Sequence, residues 1–184
     1  DTRESLKEKV RTAAILGTFQ STLTEFKYLS REWKKNCDEE RLLGVSLTGI
    51  MDNPLTNGSK KGLENLLEDL KEVAYETNKK WADILGINSA AAITCVKPSG
   101  TVSQLVDSAS GIHARHNPYY IRTVRADNKD PLCQMMKERG FPNEPDVTKP
   151  DHTTVFSFPM KSPKGAICRN EMTAWKQLSL WHTY

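Results

Sequence analysis

The sequence has no apolar run long enough to cross a bilayer and no charged-then-apolar leader at Asp1. It offers neither a membrane span nor a secretory signal. It also has no CxxC pair. Its four cysteines, Cys37, Cys95, Cys133 and Cys168, lie far apart in a chain of 184 residues. A disulfide framework would be surprising in a chain this size, so a reducing, cytoplasmic setting is expected. Histidines are few: His113, His116, His152 and His182 complete no zinc spacing, and His113-x-x-His116 lacks a partner pair. No metal site is expected from them. Nor does one sign of charge dominate. The 26 basic and 23 acidic residues leave +3, too mild a balance to argue for nucleic acid. Charged residues at 27% and hydrophobic ones at 38% instead suit a soluble globular protein with one core. An initial Met is lacking and a helix signal comes almost at once, so a piece of a longer polypeptide is expected.

The most informative stretch present is Ala90 to Ser103, AAAITCVKPSGTVS. The run 91–96 has the length and β-branched content of a buried strand. It breaks at Lys97-Pro98, and Ser99-Gly100-Thr101 opens a short helix through Leu105 and Val106. A strand leading through small residues into a helix N-terminus presents unpaired N–H groups and the positive end of the helix dipole. Gly100 lets backbone approach an oxyanion, and Ser99, Thr101 and Ser103 can donate hydroxyl hydrogen bonds. The same residues also read as a plain helix cap.

Around this stretch the pattern is helical and extended by turns. Asp1 and Glu4 suggest a capping box for a helix to about Leu29, with Leu6, Val10, Ala13, Leu16, Gln20 and Leu23 on one face. Gly17 inside it implies close packing. The charged stretch Arg31 to Arg41 reads as an exposed helix, and Cys37 as an ordinary thiol beside Lys34 and Lys35. LLGVSLTGI, residues 42–50, reads as a buried strand with Val45 and Leu47 facing one way and Ser46 and Thr48 the other. A long helix is expected over 60–85, with Gly86 just past its end. Strand, long helix and strand make a βαβ crossover, whose sites lie at the carboxyl ends of strands. The Ser99 turn sits at such an end.

Further on, SASGIHARHNPYY (108–120) is a polar loop. Ile121 to Arg125 alternates as a strand does. Arg115, Arg122 and Arg125 read either as a phosphate cluster or as surface ion pairs. Asp130-Pro131 starts a helix whose apolar face is Leu132, Met135 and Met136, ending at Gly140. Residues 141–150 form a connector and 152–158 another strand. Asn170 is expected to cap a last helix carrying Met172, Trp175, Leu178 and Trp181.

At KPSGTVSQL, SGIHARHNPYYIRTVRADNKDPL and FSFPMKSPKGAICRNEMTAWKQL the sequence resembles the large catalytic subunit of ribonucleotide reductases. It looks closest to the adenosylcobalamin-dependent, class II ribonucleoside-triphosphate reductase branch. RTAAILGTFQSTLTEF and ERLLGVSLTGIMD fit the same family in order, so the resemblance covers nearly the whole chain. It implies an α/β fold, namely the second half of a ten-stranded α/β barrel. Residues 1–184 are then a single segment of the catalytic barrel domain. The family's cysteine finger loop, an Asn-x-Cys-x-Glu type motif, is missing here. Asn36-Cys37-Asp38-Glu39 has the wrong spacing, so no catalytic residue is expected in this segment.

By the same resemblance, Ser99, Gly100, Thr101, Val102 and Ser103 match the turn that binds the substrate's phosphates. Adenosylcobalamin would serve the complete enzyme as radical source. The implied partners are a ribonucleotide substrate, a complementary N-terminal reductase segment if the chain is split, and a thioredoxin-type reductant. Neither nucleic acid nor membrane is implied. The activity would be reduction of ribonucleoside di- or triphosphates to deoxyribonucleotides by thiyl-radical chemistry, an oxidoreductase step serving DNA replication. The segment alone is not expected to turn over, and half a barrel should expose strand edges and apolar surface. A non-catalytic phosphate- or nucleotide-binding α/β module, and a relative with a diiron or glycyl radical, remain the competing readings.

Overall fold

The computed structural model describes residues 1–97 and 99–184, so Pro98 and its place in the expected strand break lie outside the described residues. The described chain divides into two compact units. One comprises residues 1–115 and 165–184, the other residues 116–164.

The first unit begins with helix α1, Arg3–Gln20, which is capped by Thr2 rather than Asp1. The Thr2 side chain accepts from the Ser5 N–H, and the Ser5 hydroxyl accepts from the Thr2 N–H. The box therefore spans Thr2 and Ser5, one residue later than expected. The helix also stops at Gln20, well short of Leu29. Thr18, Ser21 and Thr22 turn their hydroxyls back onto the carbonyls of Ala14, Thr18 and Phe19, which competes with helix continuation. The buried stripe is Leu6, Val10, Ala14 and Thr18, while Leu16 and Leu23 of the expected face are exposed. Gly17 does mark close packing: a Cβ there would meet Leu43 at 3.4 Å. Helix α2, Arg31–Glu40, buries nothing, as its charge density implies.

Helix α3, Leu63–Leu85, runs 23 residues and ends at Gly86 with φ 66°, a left-handed cap. It packs on α1 through Leu66, Leu70 and Ala74, in a core that also holds Ala90 and Ile93. Leu43, Val45 and Leu47 pack against that core, whereas Ser46 and Thr48 are exposed, as the alternation predicts. The flanking segments pair in parallel. Leu43 N–H donates to Ala92 O at 2.9 Å, Val45 N–H to Ile93 O at 2.9 Å, and Cys95 N–H to Val45 O at 3.1 Å. The crossover expected from the order strand, helix, strand is thus present, with α3 between two parallel segments. The pairing is a single Val45–Thr94 bridge, too short to count as full strands. Of residues 91–96 only Ile93 is buried, because the core covers one side of this pair.

A buried amide ties these pieces together. Asn78 of α3 donates to the Thr18 hydroxyl at 2.9 Å and accepts from the Ala90 N–H at 2.9 Å. A second core of the same unit gathers Ile50, Met51, Leu63, Ala109, Ile112 and Leu180. Leu180 comes from helix α6, Ala174–Thr183, whose cap is Thr173. Asn170, the expected cap, lies instead in a 3-10 turn, Arg169–Glu171. Trp175, Leu178 and Trp181 are exposed, so the expected apolar face of α6 is not the one that packs.

The short helix α4, Thr101–Leu105, completes the helices of the first unit. The second unit is a three-stranded antiparallel sheet with one helix. Strand β1, Tyr119–Asp127, pairs with β3, Thr153–Lys161, in a register that sets Thr123 opposite Ser157. A three-residue strand β2, Asn143–Pro145, adds to the other side of β3. It falls in the stretch expected to be connector, where its length and its proline hide any periodicity. Helix α5, Pro131–Glu138, starts as expected: the Asp130 side chain accepts from Leu132 N–H at 2.8 Å. Its buried residue is Cys133, while Leu132 and Met135 are exposed.

Asp146 anchors the turn between β2 and β3. The Thr148 hydroxyl and the Arg125 guanidinium beside it hold its carboxyl well below the usual carboxylate range. A carboxyl lowered by folding stabilises the fold above its unfolded value near ~4 and loses that contribution as pH falls through the folded value. Asp146→Asn should therefore lower the midpoint of thermal unfolding at neutral pH. The gap from wild type should close as the solution is acidified below about pH 4. A gap independent of pH would overturn the assignment.

Candidate functional site

The turn singled out in the sequence lies in the first unit, at the start of α4, Thr101–Leu105. Gly100 is its N-cap and supplies no side-chain cap. Ser99 does not cap the helix; its hydroxyl bonds the Ser103 hydroxyl instead. The plain-cap reading therefore does not describe this turn. The N–H groups of Thr101, Val102 and Ser103, in the first helical turn, have no intrahelical acceptor to use. Gly100, Thr101 and Val102 are exposed and Ser99 is half-buried, while the Ser103 side chain is fully buried. Gly100 has φ −117°, outside the left-handed region. A Cβ there would meet nothing within 4 Å, so the surrounding space is open within this chain.

Three further groups hold this turn, and the sequence reading assigned none of them to it. The first is Thr48, at the end of the extended segment beside the turn. Its hydroxyl lies 2.8 Å from the Ser103 hydroxyl, accepts from Gly111 N–H at 2.9 Å, and lies 3.2 Å from Ala109 O. The second is the strap 107–111, which begins with Asp107 in the left-handed region at φ 46°. Ser108 N–H donates to Ser103 O at 2.9 Å, closing the end of α4 onto the strap.

The third is a buried ion pair. Arg115 donates through Nε to Asp52 Oδ1 at 2.9 Å and through Nη2 to Asp52 Oδ2 at 2.8 Å. Its side chain is 3% exposed and that of Asp52 14%. Asp52 Oδ2 also accepts from Ala109 N–H at 2.7 Å, and Arg115 Nη2 donates to Asp107 O at 2.6 Å. The pair thus fastens the strap at its first residue and its middle. Thr48 and Asp52 flank Gly49, whose φ of 71° turns the chain from the extended segment into the 3-10 turn Ile50–Asp52. Asp52 could be read from the sequence only as part of a loop signal.

The other sequence candidates resolve simply. Arg115 is spent on Asp52, and Arg125 on Asp146 at 2.7 Å, so two of the three arginines are ion pairs. His113 sits against Ser110 O at 3.1 Å, a bond to its own turn, and His116 stacks edge-on against Tyr120 in the other unit. Cys95 is exposed, while Cys133 and Cys168 are buried. Lys34 pairs with Glu25 and Asp38, which takes it away from Cys37. Among the described residues no cluster of His, Cys, Asp or Glu could hold a metal ion, and no helix is long and apolar enough to cross a membrane. Two clefts of about 840 and 620 Å³ open in the first unit. A corrinoid with its adenosyl group is far larger than the drug-sized ligands such volumes enclose. Neither cleft encloses enough space for that group.

Asp52→Ala removes the two-point partner of a buried guanidinium, leaving it to Asp107 at 3.3 Å, and releases Ala109 N–H. It should cost about 3–5 kcal/mol of stability in urea unfolding. A cost under about 1 kcal/mol would place the pair with surface bridges instead.

No family model matches the chain. The adenosylcobalamin-dependent ribonucleoside-triphosphate reductase of Euglena gracilis is 28% identical over 180 residues, 98% of this chain. The enzyme of the same name from Lactobacillus acidophilus is 30% identical over 154 residues, 70% of this chain. The chain spans 25% of the Euglena protein and 20% of the Lactobacillus one. Among solved structures, that of a B12-dependent, class II ribonucleotide reductase superposes with a TM-score of 0.77 at 23% identity, over 97% of this chain and 29% of the reductase. The chain is thus a homologue of one segment of the adenosylcobalamin-dependent ribonucleoside-triphosphate reductases, and it has the α/β fold of that segment.

Proposed function

We propose that this chain is the substrate-phosphate segment of a ribonucleotide reductase, an oxidoreductase that converts ribonucleoside triphosphates to deoxyribonucleotides for DNA replication in the cytoplasm. The observation that carries this is the match to reductases of that name along 98% of the chain. The fold likeness over 97% of the chain supports it. Adenosylcobalamin would serve the complete enzyme as the radical source. The thiyl cysteine and the partner segment that carries it would lie outside this segment, as would the contacts of a thioredoxin-type reductant.

Within the segment, residues Ser99, Gly100, Thr101, Val102 and Ser103 hold the triphosphate. Thr101, Val102 and Ser103 present backbone N–H groups, which favour anions at a helix start. The Ser99 and Thr101 hydroxyls add donors, and Gly100 keeps the approach open. No step of the reaction is carried by a side chain of this segment. Its work is to fix the nucleotide's anionic end, so that the ribose is presented at one place.

The reading is tested with the polypeptide that carries this segment, together with its cysteine-bearing partner if the two are separate chains. Supplied with adenosylcobalamin, a dithiol and a ribonucleoside triphosphate, it should form deoxynucleotide. No product, with no association between the two parts, would overturn the reading. Within it, replacing both Ser99 and Thr101 with Ala should weaken nucleotide binding by about 1–3 kcal/mol, with the far-ultraviolet circular dichroism unchanged. Unchanged affinity would remove the phosphate role from this turn.

A further inference from the structure

We propose that residues 116–164 turn as a body on a hinge made of His116 and the turn 163–166. The hinge is a property of the fold and stands apart from the phosphate reading. It follows from where the backbone is fastened and where it is not.

The chain leaves the first unit after Arg115 and re-enters it at Gly165, so two connections join the units. On the first-unit side the two connections are fastened to each other. Arg115 N–H donates to Ile167 O at 2.9 Å, and Arg169 N–H donates to Arg115 O at 2.8 Å. Arg115 and Cys168 are buried there. The second-unit side has a clamp of its own. Ser162 N–H donates to Pro118 O at 2.9 Å, and the Ser162 hydroxyl donates to Asn117 O at 2.7 Å. Ser162 is buried as well. Each clamp lies wholly within one unit.

Between the clamps the backbone is unfastened. One connection has His116 alone between Arg115 and Asn117, and the other has residues 163–166. Among the described residues, neither His116 nor any of 163–166 makes a backbone–backbone hydrogen bond. His116, Pro163, Lys164 and Gly165 are exposed. Gly165 has φ 83°, and a Cβ on it would meet nothing within 4 Å. The His116 ring stacks on Tyr120, so it travels with the second unit. Pro163 fixes its own φ, which leaves the bending to His116 and 164–166. Rotation at these residues breaks no backbone bond, whereas opening either clamp would leave buried groups unpaired. Hinges are built this way, from a few loop residues that absorb the change in φ and ψ between firmly held elements. Relative motion is also the ordinary expectation for compact units joined by short exposed connections.

The test is methyl residual dipolar couplings, measured on the polypeptide that carries this segment. Ile121, Val124 and Val155 report on the second unit, and Val10, Leu66 and Ile93 on the first. The two sets should require separate alignment tensors, with the smaller magnitude for the second unit. One tensor that fits both sets overturns the hinge. Inserting a single glycine after Lys164 lengthens the turn. It should lower the second unit's tensor further while the couplings within each unit still fit that unit's own coordinates. A tensor unchanged by the insertion also overturns the hinge. Should the insertion fail to fold, Ser162→Ala loosens the outer clamp by one hydrogen bond and should lower the same tensor. Ser162→Thr keeps the hydroxyl and should match wild type. A folded Ser162→Ala with the wild-type tensor would remove the clamp from the device and with it the inference.

Discussion

The architecture around the turn depends on one constraint, the closure of Arg115 on Asp52. Both carboxylate oxygens are used, one by Nε and one by Nη2, and one of them also takes Ala109 N–H. A buried pair of this kind adds little net stability once its desolvation is counted, but it is strict about geometry. Its effect is to bind residues that are distant in sequence. Asp52 follows the extended segment, Asp107 and Ala109 follow α4, and Arg115 leads into a parallel bridge with Cys168 ahead of the last helix. Arg115 N–H donates to Ile167 O and Arg169 N–H to Arg115 O, so the residue is held through its backbone as well. A guanidinium fixed at both levels gives the strap 107–111 a single position. That position in turn locates Thr48 and the end of α4.

The hydrophobic part of the fold was legible because it repeats. α3 keeps its period from Leu63 through Leu85, and Gly86 stops it at a left-handed residue. The alternation of Leu43, Val45 and Leu47 against Ser46 and Thr48 survives even though the segment pairs through only one bridge. Asp130-Pro131 starts α5 with the cap chemistry its residues advertise. What was not legible has no period. The early stop of α1 comes from hydroxyls returning to carbonyls, a competition that apolar spacing does not record. β2 is too short to show an alternation. The faces of α5 and α6 were misread because Leu132, Trp175 and Trp181 are apolar without being buried.

The candidate site divides the same way. Its local element, small hydroxylated residues opening a short helix, is visible in KPSGTVS. Its support is not. Thr48 stands 55 positions from Ser103, and Asp52 stands 63 from Arg115. No spacing rule joins residues at such separations. Arg115 shows the difficulty most clearly. As one of three arginines in a polar stretch it reads as a phosphate ligand or a surface ion pair, yet it is among the most buried side chains of the unit. A charged residue that deep must be paired, and the partner is known only once the chain is folded.

The exposed apolar side chains bear on what this segment does. Val102, Leu105 and Val106 on and just after α4 are 64%, 81% and 63% exposed. They adjoin the proposed phosphate turn, and water is a poor environment for them. A phosphate site gains strength when water is excluded around it, because the same hydrogen bonds act in a lower dielectric. These residues would supply that apolar surround once other polypeptide lies against them. On this argument the turn is preorganised within the segment by Thr48, Asp52 and Arg115. Its full affinity would come only when the apolar residues beside it are covered.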